Sequence, residues 1–361
     1  MFARDELERL APPFRRNGRP HESNGEDYQH LDPVAATEAI AYDFLTKGGK
    51  HSRPFITLAT YHALSQPESL SGNGRPSEDD GDVPSFPDAV KRTAMSIEIF
   101  HKASLVHDDI EDDDAYRYGH ETLHRRFGTP TAINVGDYLI GMGYRLLSGE
   151  SATLGSDTVA DILDRMADAH VKLTEGQGAE LLWRDSRDKQ LTTTDAIRIY
   201  ELKTAPAFEA ALYAGLRLAN RAGQYGQAVH DFARNLGVAF QILNDLGDWV
   251  GDDHNKLAAG TDVLGGRPTV LWALALEGLS QSEKSELVSL ADNTAEAPGD
   301  AIERVRRLYE RADVFGRAAR LVDSHRSEAI TVARSVESSR LKQLLLYLVG
   351  KVLDRPESAS K

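Results

Sequence analysis

Six carboxylates stand within seven consecutive positions in Asp108-Asp109-Ile110-Glu111-Asp112-Asp113-Asp114. On a helix, Asp108 and Asp112 share a face, with Asp109 beside them. That spacing suits hard, oxygen-seeking cations such as Mg²⁺, which keep positions open for phosphate oxygens. The competing reading is a solvated acidic face, the usual fate of a charge run. The preceding residues weigh against it, because Ile97, Ile99, Phe100, Ala103, Leu105 and Val106 make the segment apolar. Carboxylates at the negative end of a buried helix need compensating charge. A second cluster follows the apolar stretch Phe240-Gln241-Ile242-Leu243, where Asn244, Asp248 and Asp252 recur at helical spacing with Asp245 between them. Taken alone, it fits a capped helix end equally well. Facing each other across a bundle, the two clusters would hold several Mg²⁺ ions around one diphosphate.

A diphosphate so held also needs protonated side chains. Lys50 and Arg53 in Gly48-Gly49-Lys50-His51-Ser52-Arg53-Pro54 are candidates, with Arg117, Lys203 and Lys256. Arginine makes bidentate contacts to phosphate, and lysine supplies a mobile point charge. The paired glycines end a helix and let the backbone approach a ligand closely. Any one of these cations, alone, reads more readily as a surface charge; their setting between helix ends and acidic motifs shifts that balance.

The elements that must position these groups are helices. Asp32-Pro33 pairs a capping residue with a first-turn proline, and the helix it starts runs through Ile40 and Phe44 to Gly48-Gly49. From Asp88 onward, apolar residues recur at i, i+3, i+4 over 88–112, 130–148, 156–184, 194–220, 226–250, 268–278, 281–292, 299–324 and 326–354. Alternating β-branched runs are missing. The expectation is an all-α single domain, a bundle of ten or more helices around a central cavity, spanning 31–354. Residues 1–30 read as a flexible arm, 65–87 as a loop insertion and 355–361 as a tail.

Composition narrows the class further. The 361 residues include no cysteine, which removes disulfides, thiolate metal sites and cysteine nucleophiles. A net charge of −14, from 42 basic and 56 acidic residues, argues against nucleic acid as the main partner. The charged start is no signal peptide, and no run of about 18 apolar residues occurs, so a cytoplasmic protein without a transmembrane segment is expected.

The motifs GGKHSRP (48–54), EIFHKASLVHDDIED (98–112), RYG (117–119), FGTPTAINVGDYL (127–139), KT (203–204), FQILNDLGD (240–248) and GTDVLGGRPT (260–269), in this order, resemble the trans-isoprenyl diphosphate synthases, or polyprenyl synthetase family. The resemblance implies Mg²⁺-dependent, head-to-tail condensation of an allylic diphosphate with isopentenyl diphosphate, with three Mg²⁺ ions per active site and a homodimer. It makes Asp108, Asp109 and Asp112 the first metal motif and Asn244, Asp245 and Asp248 the second. Arg117, Lys203 with Thr204, and Lys256 would hold the allylic diphosphate, and Gln241 would line the reacting centre. Lys50, Arg53 and His101 match the isopentenyl diphosphate positions. On catalytic grounds Asp108, Asp109, Asp112, Arg117, Lys203, Gln241 and Asp245 are the residues expected to act on the departing diphosphate, since ionisation of the allylic group is the barrier.

Chain length is read from the helix before the first motif. Ala103 and Ser104 are small, whereas an aromatic there would close the pocket early, as the resemblance suggests for C15 enzymes. Phe100, one turn deeper, is a candidate floor. The expected product exceeds C15, with C20 geranylgeranyl diphosphate favoured.

The chain departs from the family pattern in four places. Tyr118 stands where a second arginine, part of the isopentenyl diphosphate site, is usual. The second motif opens on Asn244, Lys203-Thr204 is followed by Ala205, and the stretch to Lys256 is short. Asn244, Asp248 and Asp252 also resemble the metal motif of class I terpene cyclases, which ionise a single prenyl diphosphate. A cyclase-like enzyme is therefore one alternative, and a non-catalytic subunit of a heteromeric synthase is another.

Overall fold

The computed structural model describes residues 3–12, 32–65, 84–250, 260–264, 266–292 and 298–353. Asp252, Lys256 and the 355–361 tail lie outside the described residues, as do most of the expected arm and loop insertion. Seventeen helices and one two-stranded hairpin are present among the described residues, so the all-α expectation holds. None of those helices is long and apolar enough to cross a membrane.

The described chain groups into two compact units, residues 1–166 with 210–222, and residues 167–209 with 223–361. In the first, α4 (Asp88–Glu111) packs along α6 (Thr129–Ser148), and both meet α2 (Pro33–Thr46) or α3 (Ser52–Ser65). Asp32 caps α2 as its residue type predicts, its carboxylate accepting from the Val34 N–H at 3.0 Å. The core joins Ile40, Phe44 and Leu45 of α2 to Met95, Ile99, Ala103 and Val106 of α4 and Val135 and Leu139 of α6.

Two features of this unit differ from expectation. The start of the arm is a helix, α1 (Arg4–Leu10), and its Leu7 and Leu10 are fully buried in that core. Seven residues are too few for a helix stable in isolation, so it is burial of those two leucines that holds α1. Helix α3 also had no counterpart among the expected segments.

In the second unit, α13 (Val270–Gly278) is buried from Val270 to Leu276. The rings of Trp249, Tyr309 and Phe315 form another part of its core, with centroids 5.0–6.0 Å apart. The expected helix 194–220 is divided here into α9 (Thr193–Lys203) and α10 (Ala205–Leu218). Pro206 explains the break: mid-helix it would clash with a carbonyl one turn back, but in the first turn of α10 its missing N–H costs nothing. The expected pair 299–324 and 326–354 is instead α15 (Pro298–Arg311), α16 (Val314–Ser335) and α17 (Ser339–Leu353). Asp313 adopts φ +50°, the left-handed conformation that a short polar residue tolerates best, and ends the continuity after α15. The second-motif helix, α11 (Ala222–Asp248), begins and ends slightly earlier than its periodicity suggests.

Candidate active site

The first unit gathers Lys50, Arg53, His101, Asp108, Asp109, Asp112 and Arg117 on the turn before α3, the first turn of α3, on α4 with its C-cap, and on the hairpin after α4. Helix α4 ends at Glu111 with Asp112 as its C-cap. Its buried face runs through Ile99, Ala103, Val106 and Asp109, while Phe100, Ser104, Asp108 and Asp112 are half-buried on the neighbouring face.

Asp109, expected among the metal ligands, is therefore turned inward. Its Oδ1 accepts from both Nε (2.7 Å) and Nη2 of Arg117, and Oδ2 is buried without a hydrogen-bond partner. Burial pushes its carboxyl above the usual range against the pull of Arg117. Arg117 also reaches Asp114 at 3.1 Å, and Arg125 pairs with Asp113 at 2.7 Å. The chain's own arginines thus compensate part of the acidic run. Asp108 and Asp112 stand one turn apart on the more open face.

The hairpin that carries Arg117 pairs β1 (Tyr116–Arg117) with β2 (His120–Glu121). Its turn residues, Tyr118 and Gly119, have φ +54° and +78°, the two positive values a type I′ turn demands. Glycine accepts this freely; tyrosine does not. Upstream, Gly48, Gly49 and His51 are also left-handed, so Lys50 lies in a sharply folded segment. The Nδ1 of His51 lies 3.1 Å from Oε1 of buried Glu98, whose Oε2 is unpartnered, as is the buried Nε of Arg53. His101 is held well below the ordinary imidazole range by burial and by the charges of Arg53, Lys102 and Arg117. A neutral histidine amid three cations marks this corner as favourable for an anion.

The second unit holds Lys203, Thr204, Gln241, Asn244, Asp245 and Asp248. The Thr204 hydroxyl, at the break between α9 and α10, donates to Gln241 Oε1 at 3.1 Å, and Gln241 Nε2 donates to Asp245 Oδ1 at 3.3 Å. The Tyr200 hydroxyl donates to Asp245 Oδ2 and accepts from the Val270 N–H at 2.6 Å. Asp245, also expected as a metal ligand, is thus buried with both oxygens engaged, and burial pushes its carboxyl up to about 8. Asn244 is exposed and Asp248 half-buried. Lys203 is bound to buried Glu180 at 2.6 Å. Asp262, whose N–H donates to Asp248 Oδ2 at 3.2 Å, is pushed up to about 6 by burial.

Sequence reasoning missed Lys102, Glu98, Tyr200, Glu180 and Asp262. Only Glu98, Lys102 and Asp262 carried a signal, as members of quoted motifs. Ala103, expected to border the product cavity, belongs to the core instead. Phe100 does not: its ring meets Tyr144 edge-on at 4.6 Å. It also lies so near Gly143 that a Cβ there would come within 2.8 Å of the ring.

The donors in each unit fit Mg²⁺. The first unit offers the carboxylates of Asp108 and Asp112, and the second, separately, the Asp248 carboxylate and the Asn244 carbonyl, all hard oxygen. Among the described residues no three histidine or carboxylate groups form a cage of their own. A cation that binds through one or two carboxylates and completes its shell with phosphate oxygens and water requires none.

The polyprenyl synthetase family profile matches residues 34–310. A short chain isoprenyl diphosphate synthase of Methanothermobacter thermautotrophicus is 29% identical over 332 residues, covering 91% of this chain and 93% of the relative. The crystal structure of a geranylgeranyl pyrophosphate synthetase from Pyrococcus horikoshii superposes with a TM-score of 0.76 at 23% identity, covering 98% and 95% of the two chains. A polyprenyl synthase from Caulobacter crescentus, solved with calcium and isoprenyl diphosphate, gives 0.72 at 24% identity over 90% of each chain.

Proposed function

Because the chain belongs to the polyprenyl synthetase family, and so is a prenyltransferase of the isoprenyl diphosphate synthase type, we propose that it extends an allylic diphosphate with isopentenyl diphosphate to geranylgeranyl diphosphate. The observation that carries this reading is a division of labour repeated in both acidic motifs. In each, one aspartate is buried and anchored to the protein, Asp109 by Arg117 and Asp245 by Tyr200 and Gln241. Its neighbours, Asp108 with Asp112 and Asn244 with Asp248, sit on more open surface. An acidic tail or a decayed subunit has no reason to keep such anchors.

In this reading Asp108 and Asp112, and separately Asn244 and Asp248, are the Mg²⁺ ligands. The ions supply Lewis-acid neutralisation of the departing diphosphate. Asp109 and Asp245 orient their helix ends rather than ligate. Arg117 and Lys203, held by Asp109 and Glu180, are fixed cations for the allylic diphosphate, and Gln241 faces the reacting carbon. Lys50, Arg53 and neutral His101 receive isopentenyl diphosphate. The double bond attacks the allylic cation, and the proton then lost passes to diphosphate. Phe100 and Ser104 limit the tail. The reading includes a homodimer, supported by the apolar composition of α6 and its exposed Ile133.

The test supplies C5, C10, C15 and C20 allylic diphosphates, each with isopentenyl diphosphate and Mg²⁺, and measures product length. Elongation of the first three to C20, with C20 itself left unextended, is expected. Products stopping at C15, or running on well past C20, contradict the assignment of geranylgeranyl diphosphate.

A further inference from the structure

Lys102 is among the largest fully buried side chains of the protein. A buried lysine usually meets a carboxylate, but the two hydrogen-bond acceptors of Lys102 Nζ are backbone carbonyls, Lys47 at 2.8 Å and Gly48 at 3.0 Å. Its ammonium also sits over the rings of Tyr118, 4.2 Å from the centroid, and Phe44, at 5.3 Å. Tyr118 in turn lies against the same turn, since a Cβ on Gly48 would come within 2.5 Å of its Cβ and Cγ. A Cβ on Gly49 would stand 3.4 Å from both Lys102 Nζ and the Tyr118 hydroxyl oxygen. The Gly48–Gly49 turn is therefore gripped between a buried cation and an aromatic ring, and Lys50 leaves directly from it.

Tyr118 holds this place against its own backbone preference. A two-residue type I′ turn with glycine second favours asparagine first, at the place of Tyr118, and a bulky residue with positive φ is an outlier. Backbone strain of this kind persists where the surroundings enforce it and gathers at functional sites. The ring gives back a cation–π contact to a fully buried ammonium, while its own outer side stays open to solvent.

We infer that Lys102 and Tyr118 form a clamp on Gly48–Gly49 that presets Lys50 and Arg53 for the diphosphate of isopentenyl diphosphate, so that Lys102 is a positioning residue and the buried lysine with its ring does here what an arginine in place of Tyr118 would do by contact. The inference rests on the condensation reading above. It also explains how a chain with tyrosine at this position keeps a non-allylic site: the positive charge is moved beneath the turn rather than lost.

The test uses the full-length protein with Mg²⁺, isopentenyl diphosphate and an allylic diphosphate. Lys102→Met keeps the length of the side chain but removes its charge-assisted hydrogen bonds. Their loss is worth about tenfold in an equilibrium constant, so the KM for isopentenyl diphosphate is expected to rise about tenfold while that for the allylic substrate stays within twofold. Tyr118→Asn suits the turn better and removes the ring. Its thermal midpoint should hold or rise while the KM for isopentenyl diphosphate rises in the same selective way, which a merely structural role would not produce. Should Lys102→Met fail to fold, Tyr118→Asn decides alone. An unchanged KM for isopentenyl diphosphate, or an equal rise for both substrates, overturns the clamp. Calorimetric binding of isopentenyl diphosphate separates this from failure of the condensation reading. A wild-type chain that binds it without elongating refutes condensation, and the variants' affinities still judge the clamp. A wild-type chain that does not bind it refutes the clamp.

Discussion

A carboxylate as deeply buried as Asp109 is tolerable only while Arg117 stays beside it. Breaking such a pair by removing one partner leaves a buried charge, at a cost of about 3–5 kcal/mol, and the partial exposure of Arg117 places this pair at the lower end. Arg117→Met should therefore lower unfolding free energy by about 3 kcal/mol in denaturant titrations and reduce kcat by about a hundredfold or more through loss of a fixed cation. Adding Asp109→Asn should recover much of the stability but none of the rate. Lys102 makes a different residue-scale prediction. Burial lowers its pKa to about 8, with Glu98 opposing and Arg117 reinforcing the shift. Between that value and the unfolded lysine value of about 10.4, the unfolded chain binds more protons than the folded one, so stability contributed at this site rises with pH. Below pH 8 the cost of the buried charge is fully present. The thermal midpoint of the wild type relative to Lys102→Met should accordingly climb from pH 8 to pH 10, and a constant difference would show that Lys102 does not titrate there.

At the scale of elements, the break between α9 and α10 positions Lys203 and Thr204, and helix backbones come close to it. A Cβ on Gly237 of α11 would lie 2.8 Å from Ala205 Cα and 2.9 Å from its N. Alanine in place of a helical glycine ordinarily stabilises by about 1 kcal/mol, but overlap with backbone atoms costs about 1–3 kcal/mol and cannot be relieved by a rotamer change. Gly237→Ala should therefore be destabilising on balance, and should raise the KM for the allylic diphosphate by displacing Thr204 from Gln241. The face of α4 carrying Phe100, Ser104 and Asp108 makes the second prediction at this scale. Phe100→Ala removes the ring that meets Tyr144 and should lengthen the product beyond that of the wild type by at least one C5 unit, read by chromatography of the dephosphorylated prenols. An unchanged product distribution would place the floor on another helix.

For the whole molecule, the net charge of −14 is less paradoxical for an enzyme of anionic substrates than it first looks. Part of the acid is neutralised internally, as Arg117 and Arg125 show, and bound Mg²⁺ would invert the sign of what remains at the site. The helical class and both acidic motifs were legible in the sequence because spacing alone places Asp108 with Asp112, and Asn244 with Asp248, on one helical face. What spacing does not reveal is which way each face turns. Spacing treats Asp109 and Asp245 like their neighbours; that they are buried against Arg117 and Tyr200 is a tertiary fact. Lys102 lies within the apolar stretch before the first motif, but spacing does not announce that two carbonyls will close over its ammonium. The division at Thr204 was legible in principle from Pro206, but the apolar periodicity runs on through it. Leu7 and Leu10 look like part of a polar arm because their partners lie on α2, α4 and α6.

Condensation and cyclisation consume the allylic diphosphate differently, and diphosphate release from farnesyl diphosphate with Mg²⁺, measured with and without isopentenyl diphosphate, separates them. Release should depend on isopentenyl diphosphate, with a longer prenyl diphosphate formed in equal amount. Equal release without it, accompanied by a hydrocarbon or alcohol, would contradict the account and make the protein a cyclase.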